Sequence, residues 1–311
     1  RGRRMAARGA AVLSCAAALA LCVYAFLPKS TAGLLLYEGQ FSEVQLVNSM
    51  IKQLVEDRHG IPVTIQDEMT AVNNFNALTA ANHSCDLMYT WDGTLLTTIM
   101  GLDTTDIPEG QTLYDFVNEK MNEEYDLQLL GKIGVNNTYV IGVTQEVVDT
   151  YHPETISDLV PIAGELRFCA EQDFFTDAGN MKFGPMVETY GLNFQVANPV
   201  DIMMKYTMVE QGAYDVMVVY ATDGLNKRAN LTILKDDLHF FPDYYGTILV
   251  RSDLFERFAE EAPGLKETLQ LLNGQFTDEK MSELTYRVDV EGEAVDDVAR
   301  DFLISTGLLP A

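Results

Sequence analysis

Val216-Met217-Val218-Val219 is a four-residue apolar run, preceded by Asp215 and followed by Tyr220-Ala221-Thr222-Asp223-Gly224. A run this short, closed off by turn residues, suits a strand buried on both faces of a parallel sheet. Such a strand must be covered by helices, which commits the chain to an α/β architecture. Similar runs recur at residues 33–37, 61–65, 86–90, 140–143, 166–169, 231–234 and 247–250, and each reads as a strand. Amphipathic helices lie between them. Val44, Val47, Ile51, Leu54 and Val55 make one apolar face, and Val72, Phe75, Leu78 and Thr79 a second. Ser42 with Gln45 predicts a capping box for the first helix, and the order of segments over 33–65 predicts a βαβ unit. Further helices are expected over 201–210, up to Gly191, after Thr155, after Ser252 and Leu265, and over 277–284 and 296–304.

In open α/β sheets, ligands sit outside the carboxyl ends of the strands. Aromatic residues gather there in this chain. Tyr220 stands where the 216–219 strand ends, and Trp91, the only tryptophan, ends the 86–90 strand. Phe240-Phe241-Pro242-Asp243-Tyr244-Tyr245 follows the 231–234 strand and is too aromatic for an ordinary surface loop. Phe174-Phe175 lies in a loop expected over 173–180. Rings in these places suggest a ligand that needs π-faces.

The 311 residues are enough for two domains of ordinary size. The net charge of −25 and pI near 4.3 argue against nucleic acid, which needs basic stripes. Chain crossings near 130–137 and 237–244 divide the strands and helices into two lobes. Lobe 1 takes 33–136 plus 238–311, and lobe 2 takes 137–237. A ligand cleft between lobes joined in this way is a hinge-closure architecture.

Residues 1–32 differ from the rest. Arg1, Arg3, Arg4 and Arg8 precede an uncharged stretch, 9–28, closed by Lys29. Twenty uncharged residues of helix reach about 30 Å, the hydrocarbon thickness of a bilayer. Arginines before the stretch and an acidic chain after it place the N-terminus in the cytoplasm and the lobes outside. A cleaved signal peptide is the competing reading, with Ser30-Thr31-Ala32 as the cleavage site; we read an uncleaved span. A start at Arg rather than Met fits a piece of a longer polypeptide. Cys85 and Cys169 fall in different lobes and are expected to be free, buried thiols.

Enzyme signatures are missing: there is no Gly-x-Ser-x-Gly, His-Glu-x-x-His, Walker loop or Gly-x-Gly-x-x-Gly. No cofactor is expected, and the cysteines and histidines have no metal-ligand spacing.

The chain resembles the glycine betaine/choline binding proteins of ABC importers. The marks are Phe41-Ser42-Glu43, Trp91-Asp92-Gly93-Thr94, Asn137-Thr138-Tyr139, Thr155-Ile156-Ser157-Asp158-Leu159, Thr189-Tyr190-Gly191, Tyr220-Ala221-Thr222-Asp223-Gly224, Leu234-Lys235-Asp236-Asp237 and Phe240-Phe241-Pro242-x-Tyr244, in that order. The resemblance covers about residues 33–309. It implies a two-lobed fold of the periplasmic-binding-protein type (type II), and a cage of four rings around a trimethylammonium group. The rings fall on Trp91, Tyr139, Tyr220 and Tyr244. Trp91 departs from the family's usual tyrosine, and a tryptophan face is the strongest for a cation. Tyr89, Tyr206 and Tyr245 are expected instead to spend their hydroxyls on structural bonds. Members that bind a carboxylated ligand often carry arginine where this chain has Thr176-Asp177-Ala178-Gly179. Gly39-Gln40 stands where lysine or glutamine is frequent. Thr94, Asp177, Gln40 and Asn137 complete the expected ligand shell.

The expected function is an extracytoplasmic binding protein that delivers a quaternary ammonium osmolyte, choline or glycine betaine, to an ABC permease and its ATPase. The same cleft also fits carnitine, a polyamine, or an enzyme acting on a choline-like compound. Choline is expected to bind at least as tightly as glycine betaine, because Asp177 replaces the arginine.

Overall fold

The computed structural model describes residues 33–176, 181–201 and 204–311. The expected span at 9–28 lies outside the described residues. Among those described, no helix is long and apolar enough to cross a membrane.

Strand β1 (Leu34–Tyr37), helix α1 (Ser42–His59) and strand β2 (Val63–Gln66) form the expected βαβ unit, with β1 and β2 paired in parallel. The predicted capping box does not form. Phe41 occupies the N-cap in extended conformation. The Ser42 hydroxyl donates instead to Asp289 at 2.7 Å, and Gln45 Nε2 donates to the Gly39 carbonyl at 3.1 Å. A distant carboxylate has captured Ser42, and the loop before the helix has captured Gln45. The other end closes as glycine permits: Gly60 adopts φ 65° and donates to the Glu56 carbonyl.

Strand β3 (Leu87–Trp91) includes Trp91 as its last residue. It pairs antiparallel with β10 (Tyr245–Arg251), which pairs antiparallel on its other side with β4 (Leu127–Asn136). A five-stranded sheet has the order β7-β6-β8-β5-β9, from β5 (Tyr139–Val143), β6 (Arg167–Glu171), β7 (Val196–Val200), β8 (Val216–Tyr220) and β9 (Thr232–Leu234). The chain enters it through Asn137-Thr138 and leaves between β9 and β10.

The apolar run of β8 is buried on both faces, as expected. Val216 and Val218 join Ile141, Phe168 and Phe174 in one cluster, while Met217 and Val219 join Cys169, Tyr206 and Val209 in another. The sheet itself is mixed. β8 runs parallel to β6 but antiparallel to β5. An apolar run reports burial and is silent about the direction of its neighbours. The remaining sheets share clusters in which early residues such as Leu36, Val47 and Ile51 pack with late ones such as Val250, Leu269 and Phe302.

The expected loop at 173–180 begins as a helix, α2 (Gln172–Thr176), because Phe174 is fully buried and anchors the turn. The helix expected over 201–210 starts at Lys205 and runs to Glu210 (α3). Cys85 and Cys169 are buried and free.

Candidate ligand site

Tyr139 opens β5 and Tyr220 closes β8, and antiparallel register sets them directly opposite each other. Their rings stack, with centroids 5.2 Å apart and planes 24° apart. Such cross-strand aromatic pairs stabilise a sheet end while leaving ring surface for a ligand. Phe174 and Phe241 buttress Tyr139 at centroid distances of 5.4 and 6.1 Å.

Tyr244 reaches toward the same region from the segment before β10. Its hydroxyl lies 2.9 Å from Thr94 Oγ1. The ring rests on Gly93, where a Cβ would fall 1.9 Å from Tyr244 Cε2, so no other residue allows this approach. Tyr244 is close enough to Tyr139 and Tyr220 to raise both their phenol pKa values. Burial is the larger cause in each case. It pushes Tyr139 up to about 12 and raises Tyr220 and Tyr244 as well. All three rings are therefore neutral phenols near neutral pH, and they offer quadrupoles rather than phenolates.

Trp91 is buried and donates through Nε1 to Glu43 Oε1 at 2.9 Å. The same oxygen accepts from the Tyr89 hydroxyl at 2.7 Å, and Oε2 accepts from the Thr222 hydroxyl at 2.5 Å. Burial raises the Glu43 pKa against the opposing pull of these three bonds. Phe41, largely exposed, packs its edge against Trp91 at 6.2 Å.

The remaining sequence-expected residues divide. The Asn137 N–H donates to the Tyr244 carbonyl at 2.9 Å, and its Oδ1 accepts from the Thr222 N–H at 3.3 Å. It thereby ties the Tyr220 turn to the Tyr244 segment. Thr94, expected to face a ligand oxygen, has its hydroxyl 2.9 Å from that of Tyr244. Gln40 is exposed and borders, with Phe41 and Trp91, a cavity of about 40 Å³. Asp177 lies outside the described residues. Of the tyrosines expected to spend their hydroxyls on structural bonds, Tyr89 bonds Glu43 and Tyr206 bonds Asp223 and Asn226.

Sequence reasoning missed three polar residues around these rings. Glu43 stood inside the motif Phe41-Ser42-Glu43 with no role assigned to it. Glu171 and Lys205 carried no signal. Lys205 is buried, with Nζ 3.3 Å from Glu171 Oε2 and 5.2 Å from the centroid of the Tyr220 ring.

Residues 37–305 match the family described as the substrate binding domain of ABC-type glycine betaine transport systems. A Helicobacter pylori protein named as an ergothioneine transport permease/ergothioneine binding protein is 31% identical over 195 residues; the match covers 63% of this chain but only 34% of that protein. The carnitine transport binding protein of Listeria monocytogenes is 28% identical over 84% of this chain and 83% of its own length. A glycine-betaine-binding protein of Pseudomonas aeruginosa is 27% identical, covering 86% of each chain. A crystal structure titled glycine betaine/carnitine/choline ABC transporter superposes with a TM-score of 0.79 at 26% identity, over 88% of this chain and 99% of that one. The fold is thus the α/β, two-lobed arrangement of periplasmic binding proteins, and the chain belongs to the family of substrate binding domains of ABC-type glycine betaine transport systems.

Proposed function

We propose that this protein captures a quaternary ammonium compound outside the cell and hands it to an ABC permease without altering it. The stacked pair Tyr139–Tyr220 at the end of the five-stranded sheet carries the reading, because it sets neutral aromatic faces side by side. A trimethylammonium group has no N–H to donate, so ring faces must replace its water, at ~0.5–2 kcal/mol per ring. Trp91 and Tyr244 are the two further walls of the cage. Lobe 1 comprises 33–136 plus 238–311 and lobe 2 comprises 137–237, in the type II arrangement, and the cage closes as they approach. The 9–28 stretch anchors the lobes to the membrane.

The relatives' ligands define the panel to test: choline, glycine betaine, carnitine and ergothioneine. Trp91 is the only tryptophan, so its fluorescence reports on the cage directly. Titration with each compound should change that emission saturably for at least one. Calorimetry showing no heat for any of the four would overturn the reading. Steady product formation from choline would turn it toward an enzyme.

A further inference from the structure

Three adjacent strands end at one edge of the five-stranded sheet. β6 ends at Glu171, β8 at Tyr220, and β5 begins there with Tyr139. Glu171 is only 7% exposed, and its Oε1 is buried with no hydrogen-bond partner among the described residues. Oε2 receives one long bond, 3.3 Å, from Lys205 Nζ, whose other hydrogen bond goes to the Val218 carbonyl at 3.5 Å. A buried carboxylate oxygen without a donor carries a desolvation cost that a native fold seldom leaves unmet. The carboxylate is near enough to both cage tyrosines to raise their phenol pKa values. Two lysines stand around the same rings: Lys205 behind Tyr220, and Lys182 with Nζ 6.0 Å from the Tyr139 centroid.

Resting on the quaternary ammonium reading, we propose that Glu171 is a specificity-determining residue of the cleft. Its free oxygen, at the strand ends that carry Tyr139 and Tyr220, selects a cationic ligand with a hydrogen-bond donor over one that carries a carboxylate. Lys205 neutralises the pair at long range. Oε1 is the acceptor left unmet beside the rings, so a hydroxyl donor that reaches it gains a charge-assisted bond and a carboxylate meets a like charge. The ligand class is therefore a hydroxylated quaternary ammonium monocation.

The test compares choline, its O-methyl ether (2-methoxyethyl)trimethylammonium, which keeps the cation and lacks the donor, and glycine betaine by calorimetry on the purified protein. Glu171→Gln should weaken choline about tenfold or more, leave the ether within about threefold, and leave betaine equal or tighter. Equal losses for all three ligands would overturn the assignment and make Glu171 structural. Glu171→Gln also strands the Lys205 charge, so the double variant Glu171→Gln/Lys205→Met is measured beside it. The double variant should remain weak for choline. Recovery of choline binding there would trace the loss to the stranded lysine and overturn the direct role. Wild-type protein that binds none of the three would refute the quaternary ammonium reading itself, an outcome distinct from equal losses.

Discussion

Thr222 donates its hydroxyl to Glu43 at 2.5 Å, and this bond joins the turn after β8 to the first turn of α1. The Thr222 carbonyl in turn accepts from Thr285 Oγ1 at 2.9 Å, so the turn is held from two sides. Glu43 also holds Trp91 and Tyr89, and one buried carboxyl group therefore links elements that face each other across the proposed cleft.

Removing that bond should free the turn after β8 from α1. Thr222→Val keeps the side-chain volume and loses the hydroxyl. A single buried hydrogen bond is worth about 1 kcal/mol, so ligand affinity should fall roughly fivefold, mainly through faster release. Stopped-flow measurement of Trp91 emission checks the rate, and small-angle scattering should show a larger radius of gyration than wild type without ligand. Unchanged release and identical scattering curves would show that the bond does not gate the cleft.

Ring and hydroxyl can be separated at Tyr220. Tyr220→Ala should weaken quaternary ammonium binding at least tenfold, since a desolvated cation–π contact is worth ~2 kcal/mol. Tyr220→Phe should stay within about threefold, because the ring face does the binding. Calorimetry with choline distinguishes these outcomes, and equal losses in the two variants would assign the role to the hydroxyl.

Much of this architecture was legible in the residues. The alternating burial of Val216 to Val219 was readable because a run with both faces buried has no polar alternation. Strand β7 was not, because it is largely exposed and carries Pro199, so it offers no apolar period. The stacking of Tyr139 on Tyr220 follows from strand register, which depends on pairing partners far apart in sequence. The buried pair Glu171–Lys205 was invisible for a related reason. A charged residue reads as a solvated one until the fold shows that its partner arrives from 34 residues away.

Gly93 tests the position of Tyr244 without touching its chemistry. A Cβ at Gly93 would overlap the Tyr244 ring, and Thr94 holds the far end of that ring by its hydroxyl. Gly93→Ala must therefore push the ring aside. Ligand affinity should drop tenfold or more, while the melting temperature should fall by only a few degrees, as expected of about 1 kcal/mol in a chain of this size. Thermal melts together with calorimetry decide it. Retained affinity would mean that Tyr244 stands outside the cage.

Asp92 makes stability depend on pH in the direction opposite to a salt-bridged carboxylate. It is fully buried, its Oδ1 accepts from the Tyr245 N–H at 2.8 Å, and its Oδ2 has no partner among the described residues. Burial raises its pKa from 3.8 to about 7, against the weaker pull of the Tyr245 and Gly93 N–H groups and Lys132. The folded state thus binds a proton that the unfolded state has already released between about pH 4 and 7. Stability from this group falls as pH rises through that window, and the full cost is present above it. Asp92→Asn keeps the acceptor for Tyr245 and removes the charge. It should raise stability at pH 8 by on the order of 2–4 kcal/mol relative to wild type, and change it little at pH 4. Urea denaturation at both pH values measures the difference. A gain that is equal at pH 4 and pH 8 would show that Asp92 is ionised in the folded protein across the whole range, held by donors stronger than the Tyr245 N–H.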